Sequence, residues 1–149
     1  QGVPDVLGSD HAPHTIEEKA KPYPASPSGM PGVQTLIPLL LNHVAQGRLT
    51  LRRFIELTSS GPQRVFGLVG KGRIAVGYDA DFTVVDLKKQ WTVDRDWLAS
   101  RCDWSPFDGD RLTGKAVGTI IRGNRVMWED ALANDAIGEP VRFEATEYN

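Results

Sequence analysis

Cysteine, histidine and long apolar runs are all scarce in this chain, and each scarcity removes a class of protein. Cys102 is the only cysteine among 149 residues, which excludes an intrachain disulfide and any zinc site built from several thiolates, and fits a reducing compartment such as the cytoplasm. The longest apolar run, Leu39 to Leu41 within Thr35 to Val44, is interrupted by Pro38, Asn42 and His43, far short of the ~20 apolar residues of a membrane span. Neither sign of charge dominates, with 17 Lys+Arg against 19 Asp+Glu and a formal charge of −2. The basic residues are scattered, so no electrostatic footprint for nucleic acid or an anionic membrane is present. Gln1 opens no signal peptide and stands where an initiator Met would, which points to a natural chain that begins upstream. At this length a closed eight-stranded α/β barrel of about 250 residues does not fit.

What is there reads as folded protein: 40% hydrophobic and 24% charged residues, with 15 Gly and 10 Pro. Val3 to Gly8 is a short apolar run of the kind that ends a buried strand. Thr15 to Pro31, with Pro22, Pro24, Pro27 and Pro31, predicts a long ordered loop without a regular element, covering a site. Val33, Leu36, Ile37, Leu40, Leu41 and Val44 follow helical spacing, with Pro38 in the first turn and Gly47 at the stop. Thr50 caps a second predicted helix carrying Leu51, Phe54, Ile55 and Leu57; Ser60 caps a third, with Pro62 in its first turn and Gly67 at its end. Strand grammar follows: Arg73 to Val76, Asp81 to Leu87 and Trp91 to Val93, then a short helix around Asp94 to Ser100. A hairpin joins Val117–Ile121 to Arg125–Trp128 across Gly123 and Asn124 in a type II′ turn. The tail from Asp130 shows no periodicity.

Chemistry concentrates where the first strand stops, in Gly8-Ser9-Asp10-His11-Ala12-Pro13-His14. A carboxylate there can carry a proton, and imidazoles can bind a metal or donate to an anion. The plainer alternative is that Asp10 caps a loop and the histidines are partly exposed hydrogen-bonders. A metal site wants three or four ligands, and His43 falls on the polar side of the helix over residues 33–44, where solvent is its expected partner.

The run Asp10-His11-Ala12-Pro13-His14, then Glu18-Lys19, then Ser28-Gly29-Met30-Pro31-Gly32 before Thr35 and Pro38, resembles the signature after the last barrel strand of bacterial dihydroorotases, members of the amidohydrolase superfamily. Lys71-Gly72-Arg73-Ile74-Ala75-Val76-Gly77-Tyr78-Asp79-Ala80-Asp81 is similar to the superfamily segment that returns to the small β-sandwich beside the barrel. The second motif is shared by many amidohydrolases. The first points more narrowly to dihydroorotase, because allantoinases and hydantoinases usually lack the second histidine.

The resemblance implies an α/β-plus-β fold class: residues 1–69 as the C-terminal end of a TIM barrel, and 70–149 as the C-terminal part of a composite β-sandwich with its tail. It implies a zinc-dependent interconversion of N-carbamoyl-L-aspartate and dihydroorotate in pyrimidine biosynthesis. Asp10 matches the aspartate that shuttles a proton to the departing nitrogen and also touches the metal. His14 matches the histidine that helps hold the substrate carboxylate, and Ser28 and Gly29 match the loop whose backbone meets the substrate ring. His11 matches no ligand and is expected to be structural or to support a neighbouring site residue. Gln34 replaces the glutamate more usual before Thr35, a change of charge at a helix N-terminus. The family's His-x-His pair, carboxylated lysine and two further histidines have no counterpart in this sequence, so the 149 residues alone are expected to be inactive. Partners implied are the small-molecule substrate and a homo-oligomer or a transcarbamoylase. The alternatives are a noncatalytic dihydroorotase-like scaffold and another cyclic amidase of the hydantoinase or allantoinase type.

Overall fold

Two long β-branched segments set the architecture. In the computed structural model, which describes residues 3–133 and 135–144, β1 (Phe82–Thr92) and β2 (Arg111–Ile121) pair antiparallel from Phe82 opposite Ile120 to Thr92 opposite Arg111. β3 (Asn124–Trp128) and β4 (Ala131–Leu132) extend the sheet in the order β1-β2-β3-β4. The two strands expected over 81–87 and 91–93 are one strand with an irregularity between Asp86 and Gln90. There the Asp86 carboxylate accepts from the backbone N–H groups of Lys88 and Lys89, at 2.8 and 3.0 Å. That side-chain turn absorbs the extra residues without ending the strand.

The hairpin is present, but its turn differs from the expected type II′. Ile121 pairs with Asn124, so the central residues are Arg122 and Gly123, with φ of 46° and 80°. Two positive φ values are the type I′ signature, whose twist matches the flanking strands. The tail, which lacks any sequence signal, supplies β4 and then returns to the helical layer, where Val69 N–H donates to Arg142 O and Glu144 N–H to Gly67 O.

The helices are α1 (Ile16–Lys19), α2 (Leu36–Ala45), α3 (Leu51–Ile55) and α4 (Gly61–Phe66). Thr50 caps α3 as expected, accepting from Arg53 N–H at 3.1 Å. Ser60 does not cap α4 with its side chain, because a π-helical turn, Glu56–Ser60, carries the backbone from α3 into α4. α2 lies on β2, and Leu41, 1% exposed, packs over Gly114. The Asn42 side-chain oxygen accepts from Thr113 N–H at 3.1 Å, tying the two elements. Phe54, Leu57, Val93, Cys102 and Leu112 are the other hydrophobic core residues among those described. Among the described residues no helix is long and apolar enough to cross a membrane.

Two expected strands are not strands. Val3 to Gly8 is irregular, with Val3 83% exposed; a parallel strand is stable only between neighbours, and no described strand lies beside it. Arg53 instead donates to Pro4 O, and Arg64 pairs with Asp5 at 3.2 Å. Arg73 to Val76 likewise lacks a ladder and leaves Ile74 and Val76 in solvent.

The base of that exposed loop is fastened by charge. The Lys71 ammonium bridges Asp79, at 2.9 Å, and Asp81, which also accepts from Arg122 N–H. Hydrogen bonds to Asp81 and then Asp79 hold the Lys71 amine above its ordinary range. Burial alone would raise the Asp81 carboxyl, but its bonds from Lys71 and Arg122 outweigh that and hold it low. The Asp81 contribution to stability is therefore present above about pH 3.9 and lost as pH falls through its lowered folded value. That of Lys71 is present below about pH 10.4 and lost as pH rises through its raised value. Both carboxylates are about a third exposed, so Lys71→Met is expected to cost only about 1 kcal/mol at pH 7. The deficit should shrink toward pH 3; denaturant titrations at the two pH values showing equal deficits would contradict this assignment.

Candidate active site

Residues 10–14 are fixed by a second segment, 29–33, that runs beside them. His11 and Met30 form a parallel bridge, and Ala12 N–H donates to Met30 O at 2.9 Å. The approach is close: a Cβ on Gly29 would stand 2.6 Å from Ala12 Cβ, which explains a glycine at that position. The His11 Nδ1 accepts from the N–H groups of Gly32 and Val33, at 3.0 and 3.4 Å. As an acceptor, that nitrogen carries no proton, and the ring ties the two segments together.

The proline-rich loop, expected to hold no regular element, contains one. Thr15 and Glu18 form a capping box that supports the single turn α1. The signal, a threonine three residues before a glutamate, was present, but the surrounding prolines masked it. Lys19 Nζ then donates to Pro27 O at 2.7 Å and Gly29 O at 3.0 Å, folding the loop back over its own start.

Asp10 is exposed and sits at φ 44°, in the left-handed region that few non-glycine residues enter. No hydrogen bond from a described residue reaches its carboxylate. His14 is half-buried. Its Nδ1 lies 3.5 Å from Glu18 Oε2, leaving Nε2 as the nitrogen free to meet a ligand. The N–H of Thr15, and then His14 itself, hold the Glu18 carboxyl below its ordinary range. Ser28 and Gly29 are both exposed, on the segment that runs back to Ala12.

Beside this loop lies a largely apolar cleft of about 450 Å³, lined by His11, Gln34, Thr35, Leu98, Ser100 and Trp104 among others. Gln34 does more than alter a charge at the start of α2. Its amide donates to Trp97 O at 2.7 Å and accepts from Ala99 N–H at 2.9 Å. A glutamate could make only the second of these bonds, since an ionised carboxylate has no donor. His43, expected in solvent, is only partly exposed: its Nδ1 is buried and finds no hydrogen-bond partner among the described residues.

Among the described residues no group of three or more His, Cys, Asp or Glu side chains is gathered to hold a metal ion. The described residues therefore do not by themselves form a metal centre.

The sequence matches the profile of the amidohydrolase family over residues 1–126. It is 43% identical to the dihydroorotase of Pyrococcus furiosus over 136 residues, which cover 91% of this chain and 32% of that protein. With the dihydroorotase of Methanosarcina mazei the identity is 47%, over 88% of this chain and 29% of the relative. Among solved structures, the L-hydantoinase (dihydropyrimidinase) of Arthrobacter aurescens superposes with a TM-score of 0.84 at 36% identity, covering 89% of this chain and 30% of that one. The chain belongs to the amidohydrolase family and has its fold, with an antiparallel sheet. It spans about a third of the length of the curated relatives it matches.

Proposed function

We propose that these residues are part of a zinc-dependent dihydroorotase, residues 1–69 belonging to its barrel and 70–149 to its sandwich domain, acting on the small cyclic amide dihydroorotate and its open form, N-carbamoyl-L-aspartate. The observation that carries this reading is the identity of up to 47% with dihydroorotases, supported by the pairing of the segment that holds Asp10 and His14 with the one that follows Ser28 and Gly29. In this reading Asp10 carries the proton between the attacking oxygen and the ring nitrogen. His14 donates to the substrate carboxylate, and the backbone at Ser28 and Gly29 meets the ring. Asp10 also stands as one metal ligand.

A second reading, a cyclic amidase of the hydantoinase type, is favoured by the structural likeness to L-hydantoinase. The two are separated by assaying the complete polypeptide that carries these residues against dihydroorotate and hydantoin, beside the 149-residue chain alone. Dihydroorotate is the expected preferred substrate, and the short chain should be inactive. Preference for hydantoin selects the second reading, and zinc-dependent turnover by the short chain overturns the expectation of its inactivity.

A further inference from the structure

The only side-chain bond from the β-sheet half of the chain to the main chain of residues 10–14 comes from Trp104, among the described residues. Its indole Nε1 donates to His14 O at 2.7 Å, across 90 positions of sequence. The His14 N–H donates to Ala12 O at 2.9 Å, so both main-chain polar groups of His14 are engaged. Its imidazole meets Glu18, which is itself locked in the α1 capping box.

We infer that Trp104 is a positioning residue: it sets the imidazole of His14 by fixing that residue's carbonyl. The inference rests on the reading of His14 as the group that holds the substrate carboxylate. Trp104 is suited to this because its own backbone is restrained. Cys102 Sγ donates to Trp104 O at 3.8 Å, and the buried Ser105 accepts from Phe107 N–H through its hydroxyl at 3.2 Å. Upstream, the Gln34 amide clamps Trp97 and Ala99 to the start of α2. Trp97 in turn stacks edge-on against Trp91 of β1, with centroids 4.7 Å apart, and donates from its indole to Asp130 at 3.1 Å. The indole thus reaches His14 from a frame anchored in both the sheet and α2. Removing its N–H frees the carbonyl to turn toward water and lets the loop carry the imidazole away from its set position.

The test compares Trp104→Phe, replacement of Trp104 by the isosteric benzothienylalanine, which keeps the ring volume but has no N–H, and His14→Ala, all in the complete polypeptide with dihydroorotate. Loss of one positioning hydrogen bond is expected to raise KM roughly three- to tenfold with kcat nearly unchanged, the pattern of weakened substrate binding. The isostere should reproduce the effect at an unchanged melting temperature, and it remains decisive if the phenylalanine variant fails to fold. Unchanged KM in the isostere beside a raised KM in His14→Ala overturns the inference and leaves the reading of His14 standing. Unchanged KM in His14→Ala removes that reading and the inference with it. A fall in kcat with a lowered melting temperature in the isostere makes Trp104 merely structural and also overturns the proposal.

Discussion

In the complete polypeptide, on the proposed dihydroorotase reading, Asp10→Asn is expected to lower dihydroorotate turnover by about 10²- to 10⁴-fold, the range that one positioned proton carrier supplies. Asparagine has nearly the size of aspartate and tolerates the left-handed backbone that Asp10 adopts at φ 44°. The substitution therefore removes proton transfer while leaving the loop in place. Alanine at the same position would mix chemistry with backbone strain. The melting temperature should be unchanged, since the Asp10 side chain is exposed and takes no hydrogen bond from the described residues. Near-normal kcat in a correctly folded Asp10→Asn protein would exclude Asp10 as the proton carrier and shift attention to the histidines.

Gly114→Ala has the largest expected effect on folding. Gly114 lies in β2 at φ 98°, and a Cβ there would stand 2.7 Å from the Cβ of the fully buried Leu41. The obstacle is close to the α2 backbone, so relief requires the helix to move off the sheet rather than a side chain to rotate. Strain and overpacking together are expected to cost about 2–4 kcal/mol. Gly109→Ala separates the two causes, because its φ is 84° but nothing lies within 4 Å of an added Cβ. Denaturant midpoints should show the Gly114 variant well below the Gly109 variant. Equal losses would mean that backbone strain alone acts and that the seam between α2 and β2 has room to adjust.

The local elements were legible where local chemistry decides them. The stripe from Leu36 to Val44 with Gly47 predicts α2, Thr50 predicts the cap of α3, and the β-branched run after Asp81 predicts β1. Misreadings arose where neighbours decide. Val3 to Gly8 and Arg73 to Val76 have strand composition, but a strand exists only through hydrogen bonds to another one, and the described residues offer none. Helical spacing places His43 toward solvent, yet its Nδ1 is buried. Spacing identifies a face without saying what covers it.

For the candidate site the division is similar. Asp10, His14, Ser28 and Gly29 are proposed as site residues from the sequence because their identities and order carry the family resemblance, and that resemblance is local in sequence. The sequence by itself thus determined the family, through its motifs, and which segments prefer helix or strand, since these follow from side-chain type and near-neighbour spacing. Only the tertiary structure decided that Gly29 nests against Ala12, that Gln34 clamps the 97–99 backbone, and that Trp104 reaches His14. Such contacts join residues tens of positions apart, and no pattern along the chain encodes a meeting that depends on how whole elements pack.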